Sequence, residues 1–180
     1  MLNNARIRSQ SICCNCNLKQ VGLAFKTWAI DHTNSFPMEI STNIGGTREC
    51  TATGEVFRHF QVMSNELSTP KVLICPRDSR RFASAFGTSF VNSNMSYFIG
   101  IDAKDTEPQA FLSGDRNITN GTRLRNGILE LSTNYLSGWT HDLHNRSGNV
   151  GLADGSVQQL NTLRLREAVS WTGTNRLAIP

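Results

Sequence analysis

One stretch constrains this chain more than any other: CNLKQVGLAFKTWAIDHTNSFP, from Cys16 to Pro37. Leu18, Val21, Phe25, Trp28, Ala29 and His32 recur there at steps of three and four, so on a helix they share one face. Lys19 and Lys26 point elsewhere, and no proline interrupts the run from Met1 to Phe36. Asn34-Ser35 followed by Phe36-Pro37 signals a helix end near Asn34. A helix with a single apolar stripe is not stable alone in water, so the rest of the chain must supply a cover for it. A small β-sheet is expected in that role.

The chain has 180 residues, enough for one domain with a real core, and 38% of them are apolar and 18% charged. That composition, with 14 glycines, describes a loop-rich mixed α and β protein and excludes a disordered one. The net charge of +4 arises in the first 30 residues, which hold Arg6, Arg8, Lys19 and Lys26 and no acid. A basic helix back of this kind suits a solvated surface, or contact with DNA or anionic lipid. No apolar run approaches the ~18 residues needed to cross a membrane, and no signal peptide is evident. The chain opens directly into Met1-Leu-Asn-Asn-Ala-Arg6, as if a longer helix had been cut, and a preceding apolar segment is the expectation.

Of five cysteines, Cys13, Cys14 and Cys16 crowd one helical turn, and Cys50 and Cys75 lie in the body. The Cys-Cys-Asn-Cys run lacks CxxC spacing and has no matching downstream pair, so these three are expected to be small apolar helix residues. Cys50 and Cys75 are the candidate disulfide pair, if the domain is exported.

Further along, 37–53 reads as an irregular connection around Gly45-Gly46. A second helix is expected over 54–67, with Val56, Phe57, Phe60, Met63 and Leu67 inward and His59 exposed. Lys71–Cys75, between Pro70 and Pro76, predicts a brief buried strand, and Asp78 with Arg80 and Arg81 a surface ion cluster. Strands are expected at 95–102, 108–112 and 128–131. Asp154-Gly155 predicts a two-residue hairpin turn that pairs Leu152 with Val157 and leaves Leu160 on the wrong face. A short helix over 162–171 and an extended 175–180 complete an α+β domain, 1–180, with a helix over 1–34 and a globular head over 35–180.

Three chemistries can be weighed on these residues. His144 as general base, oriented by Asp154 and serving Ser147 or Ser156, would make a hydrolase, but the nucleophile-elbow spacing is missing. Asp102, Asp105, Asp115, Asp142 and Asp154 are loop acids that could offer oxygens to calcium, although no EF-hand pattern is present. Turn capping by these aspartates is the plainer reading. Neither a P-loop nor a Rossmann glycine fingerprint occurs, so nucleotide chemistry finds no support.

Asn17-Leu-Lys-Gln-Val-Gly-Leu-Ala24, Trp28-Ala29 and Asn34-Ser-Phe-Pro37 resemble the periplasmic half of the first helix in type IV pilin-like and type II secretion pseudopilin-like proteins. Leu73–Asp78, Met95–Phe98 and Gly114–Asn117 resemble the same group, as does His144 followed after nine residues by Asp154-Gly155. The resemblance implies a long N-terminal helix on an antiparallel sheet, with Leu18, Val21, Phe25 and Trp28 as its packing face. It implies a non-enzymatic structural subunit without a cofactor, calcium at Asp102, Asp115, Asp142 or Asp154 being the exception considered. Implied partners are other pilin subunits, the secretion machinery, a prepilin peptidase and the inner membrane through an absent segment; nucleic acid is not expected. The implied location is the cell envelope, at the periplasmic side of the inner membrane or in an extracellular filament. A DNA-binding or adhesive minor pilin, and a His/Asp hydrolase, are the alternatives.

Overall fold

The apolar stripe folds as expected into one long helix, α1 (Leu2–Asp31), in the computed structural model, which describes residues 2–172 and 175–180. Met1 and residues 173–174 lie outside the described residues. Thr33 and Asn34 adopt positive φ of 58° and 55°, and the Asn34 N–H closes back onto the Ala29 carbonyl at 2.8 Å. Left-handed residues of this kind end a helix by satisfying its last carbonyls. Leu18, Val21, Phe25 and Trp28 are all buried, and Phe25 meets Phe36 and Phe60 edge-on. Lys26 is not a free charge on the helix back, because it pairs with Asp105 at 2.5 Å.

Between the helix and the sheet the chain runs through short turns. The expected helix over 54–67 breaks into α2 (Val56–Gln61) and α3 (Ser64–Leu67). His59, expected to be exposed, is fully buried, with Nδ1 2.7 Å from Thr47 Oγ1. The expected strand over 71–75 is a tight 3-10 turn, Pro70–Leu73, because Pro70 occupies its first position and the Thr69 hydroxyl accepts from the Lys71 N–H. Asp78 is likewise no surface group. Its buried carboxylate takes two bonds from Arg116, at 2.8 and 3.0 Å. Burial acts to raise its pKa, but the bonds from Arg116, Ser96 and the Arg80 backbone outweigh it and hold the carboxyl below its ordinary value.

Among the described residues eight strands follow: β1 (Tyr97–Gly100), β2 (Phe111–Asp115), β3 (Ile118–Thr119), β4 (Ile128–Leu131), β5 (Gly138–Trp139), β6 (Ser147–Leu152), β7 (Val157–Asn161) and β8 (Asn175–Ala178). Six form an antiparallel sheet in the order β4-β8-β1-β2-β6-β7, and β3 pairs with β5 separately. The extended C-terminal stretch thus enters the interior of the sheet as β8. One sheet face packs on α1; the other is covered by α4 (Thr162–Thr172), whose Leu165 and Val169 join Phe98, Phe111, Val150 and Leu152 in a second core. A long N-terminal helix on a multistranded antiparallel sheet is the coarse shape of a pilin-like α+β fold.

Coverage of both faces explains the hairpin. Its register is Gly151 with Val157 and Gly148 with Leu160, not Leu152 with Val157. The loop therefore holds Ala153, Asp154 and Gly155, with Gly155 at φ 87°, as a three-residue hairpin requires. Val157 packs toward the α1 core and Leu160, three residues on, toward the α4 core. Leu160 needs no bulge, since the face it reaches is also apolar. At Gly148 an added Cβ would lie 2.3 Å from the Trp139 ring, so a glycine is what lets that ring close over the strand.

Two measurements probe this packing. Phe25→Ala should lower the unfolding free energy by about 3–5 kcal/mol in denaturant titrations, as deletion of a buried aromatic does. Burial lowers the His59 pKa from 6.5 to about 4. As the pH falls from 6.5 toward 4, the unfolded chain gains a proton there that the folded chain refuses, and stability drops by up to about 3 kcal/mol. The stability advantage of wild type over His59→Asn should shrink by that amount across the window; a constant difference would refute it.

Candidate metal centre

Four elements bring Cys14, Cys75, Asp115 and His144 to one point. Cys14 sits on the inward side of α1, and Cys75 follows the Pro70–Leu73 turn. Asp115 ends β2, and His144 lies in the loop between β5 and β6, where Asn145 and Arg146 have positive φ of 51° and 62°. One potential ligand atom from each residue lies within 4.8 Å of all the others, and all four residues are buried. Among the described residues this is the only group of three or more His, Cys, Asp or Glu so arranged.

Cys14 and Cys75 are joined as a disulfide with their Cα atoms 5.0 Å apart. The expected Cys50–Cys75 pair is therefore corrected: Cys50 is a free, half-buried thiol, and Cys13 and Cys16 are free and exposed. Successive helix positions differ by about 100°, so Cys14 turns inward while its neighbours face solvent. Cys75 Sγ stands 3.3 Å from His144 Nε2, which is itself 3.3 Å from Asp115 Oδ2. Asn149 donates to that Oδ2 from its backbone N–H at 2.6 Å and its side chain at 2.8 Å. The Cys75 N–H donates to Ser96 Oγ at 3.0 Å, and Asn17 Nδ2 donates to the neighbouring Ile74 carbonyl at 2.9 Å.

Burial pushes the Asp115 carboxyl up to about 7, against the two bonds from Asn149. Burial also lowers the His144 imidazole to about 4, with the nearby Arg77 charge adding to the effect. The Asp115–His144 contact is consequently not an ion pair near neutrality. Asp115 Oδ1 and His144 Nδ1 are buried without any hydrogen-bond partner. An orphaned buried polar atom is costly, and two of the four converging side chains carry one.

The donor set is two sulfurs, one imidazole nitrogen and one carboxylate oxygen. Such a set suits zinc and related divalent ions when the thiols are reduced, whereas calcium takes oxygens alone. Three expectations are overturned by this cluster: a chain without a cofactor site beyond calcium, a purely structural subunit, and a protein with no groups for catalysis. The calcium candidates do not converge. Asp102 pairs with Arg176, Asp142 accepts from the Thr140 hydroxyl at 3.0 Å, and Asp154 caps its own hairpin by accepting from the Ser156 N–H at 2.8 Å. Only Asp115 reaches the cluster. His144 does have an aspartate partner, as the hydrolase alternative required, but it is Asp115, and Asp154 serves the turn beside Gly155. Ser147 donates its hydroxyl to the His144 carbonyl at 2.6 Å, so it is not aimed at the imidazole.

Cys14 was missed in the sequence because no spacing rule joins helix, turn, strand end and loop. No family model matches the chain, and no curated protein or solved structure matches it either. Among the described residues no helix is long and apolar enough to cross a membrane.

Reducing the Cys14–Cys75 bond in the presence of chelator should cost about 4 kcal/mol, the chain-entropy value for so long a loop. Urea unfolding with and without a phosphine reductant checks it. Cys50→Ala should leave that loss intact, and Cys14→Ser should abolish it.

Proposed function

We propose that this protein is a redox-coupled metal binder. In the reduced state Cys14, Cys75, His144 and Asp115 hold one zinc-class divalent ion; in the oxidised state the two sulfurs are joined and the ion cannot bind. The observation that carries this reading is the enclosure of four ligating side chains within 4.8 Å of one another. The orphaned Asp115 Oδ1 and His144 Nδ1 support it.

The chemistry balances simply. An external dithiol gives two electrons and two protons to the disulfide and becomes a disulfide itself, leaving two thiols. Those thiols release their protons as the ion binds, since the thiolate is the ligand. His144 Nε2, 3.3 Å from Cys75 Sγ, stands beside one of the two sulfurs that would hold the ion. Asn149 fixes the Asp115 carboxylate from behind, the role that outer hydrogen bonds play around metal ligands. A disulfide across α1 and the body suits an oxidising compartment, which supports a setting in the cell envelope. The pilin-like resemblance of its first helix and hairpin accords with that setting.

Cobalt reports the site directly. Reduced protein titrated with Co²⁺ should develop intense thiolate and tetrahedral ligand-field bands that saturate at one equivalent, and Zn²⁺ should displace them. Oxidised protein should give none, and His144→Ala should weaken affinity at least about tenfold. Bands that persist in the Cys14→Ser/Cys75→Ser variant, or their absence from reduced wild type, would refute the proposal.

A further inference from the structure

On the sheet face opposite α1 a cleft of about 440 Å³ opens between α4, the sheet and the loop over 102–110. Its floor is Phe111 and Leu152, both already buried, and Ala168 of α4 lines one side. At its edge stands Trp171. The chain has three tryptophans; Trp28 and Trp139 are buried, while Trp171 is 88% exposed. An indole left this open carries a large apolar face that no side chain among the described residues covers.

The polar groups around the cleft are of a particular kind. Gln109 and Gln158 are exposed, and their side-chain amides make no hydrogen bond among the described residues. Each amide offers both donors and an acceptor. The charged groups at the rim are already balanced: Asp102 is bound by Arg176, and Glu107 faces Lys104 at 3.8 Å. An ionic ligand would find no unpaired opposite charge there. A ligand with apolar C–H faces and many neutral hydroxyls finds a flat aromatic platform, free amides and no net field.

We propose that this cleft binds a neutral oligosaccharide, one sugar ring stacking on Trp171 while its hydroxyls bond to Gln109 and Gln158. The site lies across the sheet from the cysteine–histidine centre and shares no residue with it, so either assignment stands or falls alone.

Because Trp171 is the exposed tryptophan, its fluorescence is the readout. Cellotetraose, maltotetraose and tetra-N-acetylchitotetraose, each titrated into the full chain, supply the probes. At least one should shift the emission to the blue and protect it from acrylamide quenching. Calorimetry with that sugar should give no binding to Trp171→Ala and about tenfold weaker binding to Gln158→Ala, the loss of one or two hydrogen bonds. Near-ultraviolet and far-ultraviolet dichroism would confirm that both variants fold. No response to any of the three sugars overturns the proposal, as does binding that survives in Trp171→Ala. A response to a proline-rich peptide without one to sugar assigns the cleft to peptides and equally overturns it.

Discussion

The structure depends on covering a sheet that is apolar on both sides. Six antiparallel strands present Tyr97, Ile99 and Leu112 to α1, and Phe98, Phe111, Val150 and Leu152 to α4. Neither helix would hold its shape in water without that surface, and the sheet would expose two greasy faces without them. Alternation along β1 is thus invisible as burial, because all four of its residues are inside. The same double coverage lets Val157 and Leu160 point opposite ways along one strand and both find an apolar partner.

The docking of α1 has a second consequence. By seating Leu18, Val21 and Phe25 in the core it fixes where the earlier turns of the helix lie, and Cys14 comes to rest over the end of β2 and the loop after β5. Cys75 arrives from the other side, held by the Ser96 hydroxyl and the Asn17 amide. The four side chains are buried where they meet, and the electrostatics follow from that. Charge is expensive there, so Asp115 keeps its proton to higher pH and His144 refuses one. A divalent ion bound by thiolates would reverse that balance by supplying the missing positive charge.

Much of the architecture was legible in the residues. The period of the first helix, its end near Asn34, the β4 segment and the last helix all appear where pattern and terminators place them. Lys71–Cys75 is apolar like a strand, but Pro70 just before it opens a tight turn. His59 lies off the apolar stripe, yet Thr47 from a preceding turn bonds its ring and makes burial tolerable. Asp78 looked like a surface charge until Arg116, 38 residues away, was brought to it.

The opening stretch, by itself, determined that this chain would build a long helix with Leu18, Val21, Phe25 and Trp28 inward on a sheet. That much follows from helical periodicity and the hydrophobic effect, which act on near neighbours and can be read in order. Tertiary structure alone decided that Cys14, rather than Cys50, would meet Cys75, and that Asp115 and His144 would close around them. Their separation of up to 130 residues carries no spacing signal. Side chains so distant converge only when the packing of α1, β2 and the β5–β6 loop fixes their positions together, and that packing is a property of the whole sheet.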